Sequence, residues 1–150
     1  AQLAAIDECR VGRPYNAPHE AARRVLAEGL IELGVITQEL DEALDIEGGQ
    51  LRRWYMHNTG HWIGLDVHDV GIYKPNGEPR LLEEGMCLTV EPGLYFGAWR
   101  PDVDCPERYA NIGIRIEDDI LVTSNGPDVL TKDCPKTISD LEAIIGKDFQ

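Results

Sequence analysis

The hydrophobic periodicity of this chain changes once, near Trp54, and that change limits the folds open to it. Before it, apolar residues recur at helical spacing. Ala21, Ala22, Val25, Leu26 and Leu30 share one face, with Asn16 placed as a cap and Gly34 as a stop. Thr37 then opens a shorter acidic helix, with Leu40 and Leu44 four apart and Gly48-Gly49 at its end. After Trp54 come short β-rich runs separated by Gly, Pro and Asn. Helices followed by strands, instead of alternating with them, predict an α+β domain.

The clearest strands are expected over residues 86–90, 112–122 and 129–130, with Ser124-Asn-Gly-Pro127 as a hairpin turn between the last two. A loop over 96–110 holds Trp99, two prolines and several charges, a length that in compact domains is often functional. Thr137-Ile-Ser-Asp140 has the pattern of a capping box ahead of a short helix over 141–145, closed by Gly146. The helices before Trp54 are read as scaffold and the later segments as the carriers of chemistry.

At 150 residues the chain fits one domain, and 43% hydrophobic with 27% charged residues is the composition of a globular protein, not a disordered one. A net charge of −13 with no lysine and arginine cluster disfavours nucleic acid as a partner. Cys9, Cys87, Cys105 and Cys134 are widely spread and form no C-x-x-C pair, which argues against a zinc knuckle or disulfide framework and fits a reducing cytoplasm. No run approaches the ~18 apolar residues of a membrane span and no leader precedes a cleavage site, so a soluble, unexported protein without a membrane partner is expected. The chain opens at Ala1-Gln-Leu-Ala, directly in a helix-like pattern without methionine, as a cut end would.

Three segments hold the candidate chemistry: His57-Asn-Thr-Gly-His61-Trp-Ile-Gly-Leu-Asp-Val-His68-Asp, Leu88-Thr-Val-Glu91-Pro-Gly, and Asn111-Ile-Gly-Ile-Arg115-Ile-Glu117-Asp-Asp-Ile. As a strand, the third sets Ile112, Ile114 and Ile116 on one face and Arg115, Glu117 and Asp119 on the other. That is either a prepared polar site or a half-exposed strand with an ion pair of little worth. Glu91 ends an apolar strand, and Pro92-Gly93 turns the chain at once. Three of the four histidines fall within twelve positions, with Gly60 and Gly64 between them to allow close backbone approach. Singly each would read as a satisfied polar group; clustered, they favour a site. One imidazole with two carboxylates and no thiolate suits Mn(II), Fe(II), Co(II) or Zn(II), with manganese favoured by the oxygen-rich set. A pair of metals needs about five or six protein donors, and the three segments offer three strong ones.

In order and spacing these segments closely resemble the C-terminal catalytic region of the Xaa-Pro aminopeptidases, also called aminopeptidase P, which are pita-bread metallopeptidases like prolidase and methionine aminopeptidase. The resemblance runs from the helices before His57 to Thr137-Ile-Ser-Asp-Leu-Glu. It implies a partial pita-bread fold, a mixed curved sheet with flanking helices, in which residues 1–150 are a single domain lacking its N-terminal strands. It implies that His61, Glu91 and Glu117 are ligands of a dinuclear site, with Mn(II) the expected metal and Glu117 bridging both ions. Glu91 would also guide the proton of the attacking water. His57 and His68 would contact substrate and stabilise the tetrahedral intermediate, and Arg115 would lie just behind the ligands.

The reaction implied is hydrolysis of the peptide bond before a proline in second position, by a hydroxide bridging two divalent ions. That amide has no N–H to recognise, so the ring's shape must serve. The family also uses two aspartate ligands and a separate N-terminal domain, neither of which has a counterpart here. The chain alone is therefore expected to bind one ion weakly or none, to show little activity, and to expose an apolar sheet edge that invites pairing with a second copy. Two other readings stay open: an Xaa-Pro dipeptidase (prolidase), and a non-catalytic module that holds a peptide or partner. The loop over 96–110 and Asn111-Ile-Gly-Ile-Arg look more like the aminopeptidase, and His61, Glu91 and Glu117 together argue against a module without metal.

Overall fold

The computed structural model describes residues 1–100 and 103–147. Helices α1 (Gln2–Asp7), α2 (Ala17–Glu32) and the single turn α3 (Leu40–Ala43) precede strands β1 (Cys87–Val90), β2 (Gly93–Tyr95), β3 (Gly113–Arg115), β4 (Asp118–Thr123) and β5 (Gly126–Val129), and α4 (Ile138–Ile144) follows. Every pairing between these strands is antiparallel. The architecture is α+β, as the change of periodicity predicts.

Helix α2 begins and ends where Asn16 and Gly34 predict, but Asn16 does not cap it with its side chain. The Asn16 carbonyl accepts the Glu20 N–H at 3.0 Å, and Pro18 in the first turn has no N–H to satisfy. Gly34 supplies the positive φ of +70° at the exit. The second helix is shorter than expected. Thr37 gives its N–H to Gln50 Oε1 at 2.9 Å instead of opening a helix, and Asp45 Oδ1 takes the N–H groups of Glu47 and Gly48, turning the chain before the glycine pair.

One backbone register organises the sheets. β1 pairs with β4 through Val90↔Asp118, and β2 pairs with β3 through Gly93↔Arg115. Extended inward, the two registers coincide, setting Glu91 opposite Glu117 and Pro92 opposite Ile116. The expected single strand over 112–122 is therefore broken into β3 and β4, at the point where its partner carries a proline. Ile116 gives its N–H to the Pro92 carbonyl at 3.3 Å, but Pro92 has no N–H to return. On the far edge of β1 and β2 runs the segment from Trp54 to Ile63. Tyr95, Glu91 and Thr89 donate to the carbonyls of Trp54, Thr59 and His61, and Ile63 donates to that of Cys87. β5 closes the opposite edge of the three-stranded sheet through a turn shorter than expected: Ser124 and Asn125 form it, while Gly126 and Pro127 already lie in the strand.

Leu88, Val90, Ile120 and Val122 line one sheet face and pack against Ala5 and Ile6 of α1, Cys9 just after it and Ala22 of α2. Each buried Leu, Ile or Val side chain among them contributes about 1.5–3 kcal/mol. A second cluster gathers Leu30, Leu51, Trp54, Phe96 and Val103 under the C-terminal half of α2. It takes in much of the loop over 96–110, which thus serves as core as well as surface; residues 101–102 lie outside the described residues. β3 is different: Ile112, Ile114 and Ile116 stay exposed beside it, Ile114 by 59%, above an apolar groove that Leu94 and Phe96 complete. Thr137 caps α4 as predicted, its hydroxyl accepting the Asp140 N–H at 3.2 Å, although the helix starts three residues earlier than the pattern suggested.

Asp118 ties both ends of the chain to β4. Buried on the helix side, it accepts the Gln2 amide and the Thr131 hydroxyl at 2.6 Å each and pairs with Lys136 Nζ at 2.8 Å. Removing one member of such a pair leaves the other charge poorly solvated. Asp118→Ala should cost about 3 kcal/mol of unfolding free energy, whereas Asp140→Ala, in the exposed first turn of α4, should cost less than half of that; urea denaturation of the two variants checks the order.

Candidate metal centre

The face opposite the helices carries the candidate chemistry. Residues that alternate along the strands bring Thr89, Glu91 and Tyr95 to one side of β1 and β2. Glu117 meets them from the other half of the ladder, and His61 from the segment beside β1. Ligand atoms of His61, Glu91 and Glu117 all lie within 4.8 Å of one another, the group of this kind found among the described residues.

Each side chain is held. His61 Nδ1 lies 3.0 Å from the Trp62 carbonyl, which only accepts, so Nδ1 carries the proton and Nε2 turns its lone pair inward. That Nε2 faces Glu91 Oε1 at 3.3 Å. Two lone-pair donors at this separation need a cation or a proton between them, and the outward Nδ1–H to a backbone carbonyl is the arrangement that orients a metal-binding imidazole. Glu91, only 8% exposed, receives the Thr89 hydroxyl on Oε1 at 3.1 Å and faces Arg115 Nη1 from Oε2 at 3.4 Å. Glu117 is exposed and directly opposite Glu91. Burial and then the Glu91 charge raise its carboxyl above the usual range, with Asp119 adding to the rise and Arg115 and His61 opposing it. Two carboxylates and an imidazole, with one guanidinium beside them, make a set of nitrogen and oxygen donors that fits a hard or borderline divalent cation.

The other predicted residues surround this set at different depths. Arg115 gives its Nε–H to Tyr95 Oη at 2.8 Å, and Tyr95 Oη lies 2.8 Å from His57 Nε2. His57 Nδ1 is 2.7 Å from the Asn58 carbonyl and so carries the proton, which makes Tyr95 the donor to Nε2. The Tyr95 hydrogen bond leads the effects holding Arg115 in its charged form. His68, exposed on a loop, stacks edge-on over His61 with ring centroids 4.2 Å apart. Asp69 folds that loop by accepting the N–H groups of Leu65 and Val70, and a Cβ on Gly64 would meet Asp69 Oδ2 at 1.6 Å. Gly60 is equally constrained: a Cβ there would lie 1.9 Å from the Thr89 carbonyl oxygen. Thr89 and Tyr95 were not singled out from the sequence, although the alternation that starts at Glu91 places both on its face. His19, which reaches Thr59 from α2, had no sequence signal at all.

A model of metallopeptidase family M24 matches residues 1–124, and the chain belongs to that family. The Xaa-Pro aminopeptidase of Haemophilus influenzae is 42% identical over 145 residues, covering 97% of this chain and 32% of the relative. Aminopeptidase PepP of Pseudomonas aeruginosa superposes with a TM-score of 0.87 at 46% identity, covering 95% of this chain and 31% of that one. Escherichia coli aminopeptidase P with the inhibitor Pro-Leu superposes with a TM-score of 0.81 at 41% identity, with the same coverage. The fold is thus part of the pita-bread fold of these enzymes, and the chain spans about a third of the length of the relatives it matches.

Glutamates placed directly across a ladder repel each other. A carboxyl whose pKa folding has raised opposes folding as pH rises through its folded value, because the native state must then shed a proton it holds more tightly than the unfolded chain does. In ion-free buffer at neutral pH, Glu117→Gln should therefore stabilise the chain by a few tenths of a kcal/mol. The gain should shrink as pH falls through the ordinary glutamate range, as thermal unfolding across pH would show.

Proposed function

We propose that the protein hydrolyses the peptide bond between an N-terminal residue and a following proline, and that residues 1–150 form the C-terminal part of its catalytic domain. The observation that carries this reading is the convergence of His61, Glu91 and Glu117, whose ligand atoms lie within 4.8 Å of one another, in an M24 fold. In this reading His61, Glu91 and Glu117 would hold divalent metal, Mn(II) by the oxygen-rich donor set. Bound there, the ions would make a water nucleophilic at neutral pH and draw charge from the scissile carbonyl.

The chain's own residues do the rest. Glu91, held by Thr89 and Arg115, takes a proton from the attacking water and delivers it to the proline nitrogen as the C–N bond breaks. His68, exposed above His61, and His57, aligned by Tyr95, contact the substrate and offset charge on the carbonyl oxygen. Arg115 keeps Glu91 oriented through its contact with Oε2 at 3.4 Å. Substrates are peptides with proline second. The Escherichia coli relative solved with Pro-Leu supports this, since Pro-Leu is what remains when the residue before proline is released.

The three donors on this chain fall short of the number a metal pair needs, so the remaining ligands would come from polypeptide beyond it, and the isolated chain would hold one ion weakly or none. The exposed isoleucines along β3 mark where that polypeptide, or a second copy of the chain, would pack. All four cysteines are free, which supports a place in the reducing cytoplasm. No helix among the described residues is long and apolar enough to cross a membrane.

Calorimetry of Mn(II) binding to the chain, with His61→Ala as control, should show one weak event that the variant loses. In the longer protein, Glu91→Gln should lower kcat for an Xaa-Pro-Leu tripeptide on the order of 10²–10⁴-fold. Wild-type turnover by that variant would overturn the hydrolase reading.

A further inference from the structure

The mechanism leaves one histidine unused. His19 stands in the first turn of α2, half-buried, on the side of the segment 54–63 away from β1. Its Nδ1 accepts the Thr59 N–H at 3.2 Å and lies 2.9 Å from Thr59 Oγ1. Thr59, with 2% of its surface exposed, also shares a hydrogen bond between its hydroxyl and that of Tyr55, whose ring lies 5.7 Å from the imidazole. From its other side Thr59 gives its carbonyl to the Glu91 N–H at 2.6 Å. The next carbonyl, that of Gly60, is held by the Tyr15 hydroxyl at 2.7 Å. The peptide joining His57 to His61 is thus gripped by α2 and its approach on one side and by β1 on the other.

Proton bookkeeping fixes the state of His19. A backbone N–H points at Nδ1, whose single in-plane lone pair receives it, and Thr59 Oγ1 lies beside the same atom at 2.9 Å. Nδ1 has no room for a proton of its own, so the ring is the neutral Nε2–H tautomer. Imidazolium would set its own N–H against that of Thr59 and displace it.

We propose that His19 is a positioning residue of the candidate metal centre: as the neutral Nε2–H tautomer it clamps Thr59, and through the Thr59 carbonyl it fixes the backbone of Glu91 and the placement of His61 against it. This rests on the reading of His61 and Glu91 as metal ligands, but the clamp is a property of the chain with no ion bound. Burial lowers the His19 pKa, as the geometry requires; of the charged groups facing it, Glu20 opposes the shift, while Arg23 and His57 add to it. Because the native state holds the ring neutral, the clamp is intact above the ordinary histidine range and weakens as pH falls below about 6.5.

The test is nuclear magnetic resonance on the ion-free full chain. Long-range ¹⁵N spectra at about pH 7.5 should show His19 as the Nε2–H tautomer, a measurement that needs no variant. Amide exchange at Glu91, corrected for its intrinsic pH dependence, should speed up by about tenfold or more as His19 protonates. In His19→Asn, a side-chain oxygen takes the place of Nδ1 and cannot titrate, so Glu91 protection should persist and lose its step in pH. In His19→Leu, protection at Glu91 should be lost at every pH, with Leu88 and Ile120 still protected if the core is folded. An Nδ1–H tautomer, or wild-type Glu91 protection in His19→Leu, would overturn the clamp without touching the hydrolase reading. Failure of the longer protein to cleave Xaa-Pro bonds would leave the exchange result standing.

Discussion

The backbone of residues 86–96 is the constraint on which the rest of the molecule depends. Its amides alternate between two partners: Leu88, Val90 and Leu94 face the ladder of β3 and β4, while Thr89, Glu91 and Tyr95 face the segment 54–63. The two ladders share a spine: a shift of register in the first would move Glu91 relative to Glu117, and a shift in the second would move it relative to His61. The candidate centre therefore depends on both ladders holding their register.

The same spine explains where the centre opens. Glu91 and Glu117 stand directly across the ladder, two like charges side by side on one face. Pro92 withholds one amide, and the ladder relaxes into two sheets on either side of the Glu91 and Glu117 pair. Thr89 and Arg115 then steady Glu91, while Glu117 remains exposed and reluctant to ionise. Such repulsion disfavours the folded chain unless a cation offsets it, the sign expected where binding is favoured over stability.

Much of the scaffold was legible in the residues. The extent of α2, the turn at Ser124-Asn125 and the cap at Thr137 follow from local chemistry that acts within four residues. The break between β3 and β4 was not legible in the segment 112–122, because its cause lies in Pro92 on the partner strand. Thr37 and Asn16 misled for a related reason: both are good caps in isolation, but Gln50 takes one and the backbone of the other is already helical. At the site, alternation from Glu91 pointed to the right face, yet the chain of contacts from Arg115 through Tyr95 to His57 joins three separate segments and has no local trace.

By itself the sequence determined the donor chemistry, two carboxylates and a small group of imidazoles without a thiolate, and the period-two alternation that puts Glu91 and Glu117 on faces of their own strands. Only the tertiary structure decided which imidazole turns a lone pair toward Glu91, which one lies over it, and which supports the backbone from behind. The reason is physical: residue type and periodicity fix what a side chain can do and which way it leaves its strand. Register and hydrogen-bond direction arise only when strands distant in sequence meet.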